Sequence, residues 1–337
     1  MSKILIIGPE FHGYNEILKK TFEKYGHDCE TCQIYLYSSG HLHYLHFLCK
    51  KYISLKNLEN NNFIKNRVLK KFDSFNPEYV LLIKGDSLPL DAVRYMKKKS
   101  QVAMWVMDSF NMVGELTFKN AEEVGSVFVF EASDIERFKE LPFKMTYLPL
   151  GYDEFTYYKI DNKEKTIDVF FVGELDNERL KILEKLVTDF PNLKMKFYGG
   201  YAKYNIPKLF KYYVLAYNRY FTNITLNHTQ INEMYNQSKI CLNLHRSQSK
   251  YGWNARTNEI LATGAFQIVD NIPGIAVEYK DGLILFNNYD DLKQKILFYL
   301  NHSKKLNEIA QKGHKMALEK HSYSSCVEII LKTWSLL

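Results

Sequence analysis

The chain has 337 residues, 46% hydrophobic, 25% charged and 15% aromatic, with 25 Tyr and 22 Phe. That length favours two domains over one, and the composition excludes a disordered chain, a collagen and a disulfide miniprotein. The formal charge of +7 is modest; it favours an anionic ligand, a lipid headgroup or nucleic acid without choosing among them.

No run reaches the ~18 consecutive apolar residues that a membrane-spanning helix needs. The apolar start, Lys3 to Gly8, is too short for a signal peptide and leads into Pro9 and Glu10, so it reads as a buried strand. The five Cys are odd in number and scattered, which fits reduced thiols and a cytoplasmic location better than a disulfide frame.

A helix follows over Asn15 to Tyr25, with Ile17, Leu18 and Phe22 at helical spacing and Gly26 as its stop. Asp28 to Tyr35 reads as a strand and Tyr44 to Phe72 as a basic helical region. Strands are predicted over Tyr79 to Ile83, Val102 to Met107, Ser126 to Phe130 and Met145 to Leu148. Helices are predicted over Ala92 to Lys99 and from Asp134 to Lys139. The polar stretch Tyr158 to Lys165 is the best linker in the chain.

Alternation then restarts. Strands are predicted at Asp168 to Gly173, Leu193 to Tyr198, Ile240 to Leu244, Phe266 to Val269 and Leu283 to Phe286. Helices fall at Arg179 to Val187, Ile231 to Gln237, Thr257 to Thr263, Leu292 to Leu300 and Lys304 to Glu319. Strands alternating with helices predict an α/β fold with parallel sheets, here two Rossmann-like domains facing a cleft. The expected boundaries are 1–157, with the C-terminal helix 320–337 packing back on it, and 166–319.

The densest polar cluster runs from Asn243 to Pro273. A strand ends near Leu244, and a loop carrying His245, Arg246, Lys250 and Arg256 leads into the helix at Thr257. Cations ahead of a helix start suit an anion, and Glu259 one turn in suits a ribose diol. A solvated basic loop with a helix-stabilising Glu explains the same pattern.

The segment Tyr251-Gly252-Trp253-Asn254-Ala255-Arg256-Thr257-Asn258-Glu259-Ile260-Leu261-Ala262-Thr263-Gly264-Ala265-Phe266 resembles the donor-binding segment of the CgeB-like glycosyltransferases. Other segments resemble that family in the same order. They are Asp168 to Gly173 followed by Arg179, Phe197 to Gly200, Ile240 to Leu244, and the "P-x-G-x-D" stretch Pro149 to Asp153. The resemblance covers about residues 100–330 well and the first 100 loosely. It implies the GT-B fold, with a nucleotide-diphosphate sugar as donor and a glycan, lipid-linked or protein acceptor, in envelope or cell-surface glycan synthesis.

Carried over position by position, the resemblance gives Glu259 to the nucleotide ribose, Arg256 and Arg179 to the diphosphate, and Gly264 to close backbone approach. Gly173, Gly199, Asn243, His245, Arg246 and Asn254 complete the implied donor site. Retaining relatives carry another Glu eight residues before the ribose Glu; Tyr251 stands there, so sugar recognition does not transfer. Cations facing the leaving diphosphate, and the lack of any Asp-x-Asp, lead us to expect neither a metal nor a cofactor.

In the first half, Gly8-Pro9-Glu10-Phe11-His12-Gly13 lacks G-x-G-x-x-G, so dinucleotide binding is not expected. His12 on that loop suits a donor contact or a base, or carries no function. Asp108, ending a "W-x-x-D" segment, suits a base for an acceptor hydroxyl or a plain turn cap. A sugar-nucleotide epimerase and a non-catalytic sugar- or nucleotide-binding module fit the same pattern.

Two weaker signals remain. Cys29-Glu30-Thr31-Cys32 lies within a predicted strand, with His41, His43, His46 and Cys49 nearby, and matches no zinc spacing. The stretch 201–221 is basic and aromatic. It reads as a helix packed on the donor sheet or as a peripheral contact at the inner face of the membrane, ahead of nucleic acid.

Overall fold

The structure, a computed structural model, describes residues 1–9, 13–34, 61–200, 219–245 and 251–337. They form two compact units, Met1–Leu150 with Tyr323–Leu337, and Gly151–Ser322. The chain passes between them at Leu150/Gly151 and returns at Ser322/Tyr323.

The first unit holds a six-stranded parallel sheet. Its strands are β1 (Lys3–Gly8), β2 (Asp28–Gln33), β3 (Tyr79–Ile83), β4 (Gln101–Val106), β5 (Ser126–Val129) and β6 (Lys144–Tyr147), in the order β2-β1-β3-β4-β5-β6. Ile4 to Ile7, Val80 to Ile83 and Val102 to Val106 are buried throughout, as a parallel sheet covered on both faces requires. The returning helix Tyr323–Thr333 belongs here. Tyr25 Oη donates to Glu328 at 2.6 Å, and Trp334 lies 5.0 Å from Tyr79, ring to ring.

The second unit holds β7 (Ile167–Val172), β8 (Met195–Tyr198), β9 (Phe221–Thr222), β10 (Ser238–Asn243), β11 (Gln267–Asp270) and β12 (Ile284–Phe286). They form another parallel sheet, in the order β12-β11-β10-β7-β8-β9. Its core gathers Phe171, Leu183, Phe197, Leu242, Phe266 and Ile296 around the sheet.

Several elements depart from the sequence expectation. The helix Glu115–Val124 was not anticipated, because Thr117 and Asn120 share its buried face with Ala121 and Val124. Asn120 Nδ2 donates to the Gly85 and Leu88 carbonyls, both at 2.8 Å, so that polar face serves the neighbouring loop. The helix Pro273–Tyr279 is short and opens Pro-Gly, a sequence that reads as a turn. Of the expected helical region 44–72, the part before Asn61 lies outside the described residues, and the helix there is Asn61–Phe75. Of the basic stretch 201–221, only Arg219 to Phe221 is described, and it ends in β9 rather than in a helix. His41, His43, His46 and Cys49 also lie outside; Cys29 and Cys32 are buried thiols in β2, and burial pushes both up.

The expected linker 158–165 lies within the second unit. Tyr158 N donates to Asn232 Oδ1 (3.1 Å), Ile160 N to Asn236 Oδ1 (2.8 Å), and Asn236 Nδ2 back to the Tyr158 carbonyl (3.1 Å). Asn232 and Asn236 are one turn apart on the helix His228–Gln237, and both are buried. The polar segment is therefore a strap whose backbone is satisfied by side chains instead of water. No helix among the described residues is long and apolar enough to cross a membrane.

One backbone contact at the carboxyl end of the second sheet tolerates no side chain. Gly199 has φ 152, and a Cβ there would stand 1.7 Å from the Gly173 carbonyl oxygen. Gly199→Ala should therefore cost about 3 kcal/mol or more, from strained φ plus a clash with backbone. Thermal unfolding checks this; a melting temperature within 2 °C of wild type, about half a kcal/mol, would refute it.

Candidate functional site

The carboxyl ends of β7 and β10 are joined by Arg179. Asp176 caps the helix Asn177–Asp189, accepting from Glu178 N (3.1 Å) and Arg179 N (3.0 Å), which sets Arg179 in its first turn. From there Nη1 donates to the Glu174 carbonyl (3.0 Å) and Nη2 to the Leu244 carbonyl (2.6 Å). The side chain is buried, with its guanidinium 5.9 Å from the Phe171 ring centre. Arg179 thus stitches two strand ends together.

A second set of polar side chains sets the path from β10 to the helix Arg256–Ala262. Asn243 and Asn254 pair reciprocally through their amides, at 3.2 and 3.0 Å, and Asn243 Nδ2 also donates to Thr257 Oγ1 (2.9 Å). Asn254 Oδ1 accepts from Thr257 N (3.2 Å). His245 uses both ring nitrogens: Nδ1 meets Asp270 Oδ1 at 3.0 Å, and Nε2 accepts from Asn254 N at 3.2 Å. That pattern assigns the Nδ1–H tautomer. His245, expected as part of the donor site, is thus placed within the hydrogen-bonded loop behind the helix start. Its side chain is buried and both nitrogens are committed within the fold.

Arg256 and Glu259 lie one turn apart on that helix. Arg256 lies over the end of β7: a Cβ on Gly173, whose φ is 155, would stand 3.3 Å from Arg256 Nη2. Glu259 is half-buried, and burial pushes its carboxyl up to about 7; Asp153 adds to this, while Arg256 and a hydrogen bond from Tyr157 work against it. Tyr157 comes from the strap and is buried, and its hydroxyl lies 2.6 Å from His228 Nδ1. Tyr235 is also buried, which pushes its hydroxyl well above its ordinary range, beside the charges of Glu259 and Arg256. The cluster thus sets one carboxylate and one guanidinium side by side at the end of a parallel sheet.

The other expected residues fall elsewhere. Gly264, expected to allow close backbone approach, stands at the far end of the helix with φ 68, against Lys159 and His314, where it serves the helix stop. Gly199 underlies Gly173, as described above. Tyr251 is half-buried, its carbonyl packed on Gly274. His12 and Arg246 lie outside the described residues.

In the first unit, Asp108 follows β4 and lies half-exposed, 2.6 Å from Lys84 Nζ. Lys84 follows β3 with φ 64, a left-handed conformation that costs a non-glycine residue about 1 kcal/mol or more. The pair lines a cleft of about 200 Å³ with Asp86, Val113 and Thr117. Lys84, Tyr157 and His228 were missed in the sequence. Lys84 sits in an ordinary strand-end Lys-Gly-Asp, Tyr157 borders a stretch read as a linker, and nothing sets His228 apart.

Two parallel six-stranded α/β sheets in this order are the GT-B fold, the architecture of nucleotide-sugar glycosyltransferases. Residues 179–332 match the family described as glycosyl transferase-like. The chain resembles the spore protein CgeB of Bacillus subtilis (strain 168), 22% identical over 262 residues, which cover 73% of this chain and 80% of CgeB. Sucrose-phosphate synthase from Thermosynechococcus elongatus superposes with TM-score 0.71 at 12% identity, over 99% of this chain and 98% of that one. Anabaena HepE, solved with UDP-glucose, superposes with TM-score 0.66 at 12% identity over all of both chains.

The raised carboxyl of Glu259 has a consequence for stability. The folded state holds that proton more tightly than the unfolded chain, so the stabilisation is present below the ordinary carboxylate range and is lost as pH rises through about 7. Glu259→Gln, permanently neutral, should gain on wild type between pH 5 and pH 8. Thermal melts of the nucleotide-free proteins at those two pH values test this; a gap that shrinks toward pH 8 would contradict it.

Proposed function

We propose that the protein transfers a glycosyl group from a nucleoside-diphosphate sugar, held by the second unit, to a hydroxyl of a glycan, lipid-linked or protein acceptor. The observation that carries this reading is the pairing of Glu259 with Arg256 over Gly173. A carboxylate that accepts from two ribose hydroxyls and a guanidinium that meets a diphosphate are the two contacts a donor nucleotide needs. The neighbour solved with UDP-glucose supports the same choice of donor class.

In the proposed reaction the acceptor oxygen bonds to the anomeric carbon while the bond from that carbon to the diphosphate oxygen breaks. Negative charge grows on the leaving diphosphate, and Arg256 stabilises it electrostatically, so the proposed mechanism needs no divalent metal. Asn243, Asn254 and Arg179 fix the backbone around that cation. The acceptor proton passes to a carboxylate, for which we propose Asp108. His12 is the next candidate, and Arg246 would add to the cationic loop. Synthesis of an envelope or cell-surface glycan fits the likeness to a spore protein. The lysines and tyrosines of 201–221 would suit an acceptor at the inner membrane surface.

Two variants test the assignment. Arg256→Ala should weaken UDP binding by about 1.5–3 kcal/mol, the scale of a charge-assisted hydrogen bond. Calorimetry that finds the same dissociation constant removes Arg256 from the site. Asp108→Asn should leave UDP binding intact and lower transfer to acceptor by ~10²-fold or more, the contribution of a general base. Full turnover in that variant clears Asp108 of the role.

A further inference from the structure

We propose that the cleft beside Lys84 and Asp108 binds one uncharged sugar ring of the acceptor, and that Lys84 is the residue that selects it. The inference rests on the transfer reading above and narrows its acceptor from any hydroxyl to a sugar hydroxyl.

Lysine stands at position 84 where glycine would cost less. Lys84 and Gly85 both have positive φ, 64 and 68. Gly85 must lack a side chain, because a Cβ there would run into Met104 Sδ. A glycine at 84 would relax the backbone in the same way, yet the chain carries a long cationic side chain there. Strain of this kind persists where the surroundings over-determine it, and it clusters at ligand sites.

The surroundings do over-determine it. Lys84 N donates to the Trp105 carbonyl (2.9 Å) and Gly85 N to the Ile83 carbonyl (2.8 Å). The buried Asn120 holds the Gly85 and Leu88 carbonyls, as described above. The turn after β4 is held likewise: the buried Asp134 accepts from Phe110 N at 2.9 Å, and Met112 N donates to the Ser109 carbonyl at 2.9 Å. Two buried polar side chains thus fix two strand-end loops, and those loops set Lys84 Nζ 2.6 Å from Asp108 Oδ2.

The lining of the cleft gives the class of ligand. Lys84, Asp86 and Asp108 supply polar groups, while Val106, Val113 and the 58% exposed Met112 supply apolar surface. A pyranose presents the same mixture, with hydroxyls around its rim and C–H groups across its faces. Its hydroxyls donate to a carboxylate and accept from an ammonium, the two groups that the Lys84–Asp108 pair sets side by side. The volume of about 200 Å³ lies below the ~300–1,000 Å³ of pockets for drug-sized ligands, so it suits one ring and not a nucleotide.

Charge argues against a phosphate. One cation faces two carboxylates in the cleft. The helix Glu115–Val124 starts beside it at Gly114, and the roughly half charge of a helix start does not reverse the sign. Glu115 is exposed and paired with Lys119 at 2.6 Å. A ring seated in the cleft brings a hydroxyl to Asp108, the carboxylate proposed to take the acceptor proton, while Lys84 holds a neighbouring hydroxyl.

The test follows the Met112 methyl resonance of the full chain by NMR, assigned with Met112→Leu, with and without UDP. The probes are the methyl glycosides of glucose, galactose, mannose and N-acetylglucosamine, with glucose 6-phosphate as the anion. At least one glycoside should shift Met112 saturably, and the phosphate should bind about fivefold or more weakly than it. Lys84→Met and Lys84→Gly should each weaken that glycoside about fivefold or more, the loss of one charged hydrogen bond, and leave UDP affinity unchanged. Lys84→Gly should melt at or above Lys84→Met, because glycine suits φ 64, so its loss of binding is not a loss of fold. The comparison of glycoside with phosphate in wild type needs no variant. The proposal is overturned by glycosides that leave Met112 unmoved both with and without UDP. It is equally overturned by a phosphate that binds as tightly as the glycoside, or by glycoside affinity that survives in both Lys84 variants. UDP calorimetry on the same samples keeps the donor reading apart. Glycoside binding without UDP binding leaves the cleft standing and refutes the donor; UDP binding with Met112 unmoved refutes the cleft alone.

Discussion

The second unit depends on satisfying backbone groups where its strands run out. Parallel strands end in loops, and here those loops leave carbonyls in a buried place. Arg179 answers that by donating to Glu174 and Leu244 at once, from two different strand ends. Leaving such groups unpaired costs about 1–3 kcal/mol each. With the ends of β7 and β10 joined, Gly173 is fixed against Gly199 below and Arg256 above, and the absence of side chains at both glycines lets the three meet.

From that fixed point the site divides by burial. Asn243, Asn254, Thr257, His245 and Asp270 bond mostly to one another, and their lone pairs and protons are spent on setting the loop. Arg256 and Glu259 are the half-buried members, and the fold disfavours the ionised form of Glu259. A residue with every donor and acceptor engaged at ordinary distance belongs to the scaffold. One whose ionised form the fold itself disfavours is a candidate for a ligand.

The same division explains how much the sequence disclosed. The strands β1, β3, β4 and β7 were legible because doubly buried strands are continuous apolar runs, and burial leaves little freedom over their composition. The helix Glu115–Val124 was not, because Asn120 and Thr117 occupy its buried face for the sake of a neighbouring loop. The strap 158–165 read as a linker for the converse reason: its partners, Asn232 and Asn236, are polar and distant in the chain. Arg256 and Glu259 were legible as a pair because both sit on one helix, whereas Tyr157 and His228 join them only through the fold. The contact of His245 with Asp270 was not legible, because a cation ahead of a helix looks alike in sequence whether it faces a ligand or a carboxylate of the fold.

Glu259 shows why such a site is built on a rigid sheet edge. A half-buried carboxylate without full compensation destabilises the folded state at neutral pH, and the surrounding structure could relax by turning it to water or by moving Arg256 closer. Gly173 lies against the Arg256 guanidinium, and Tyr157 and Tyr235 are buried ring to ring, 6.2 Å apart. The cost falls on the ionised carboxylate, and hydroxyl donors brought by the proposed ligand would relieve it. Relief of that kind raises affinity for a diol over a ligand that lacks one, because the unmet acceptor penalises only the latter. Under the proposed donor reading, selectivity for a ribose would follow from how incompletely the carboxylate is served by the protein itself.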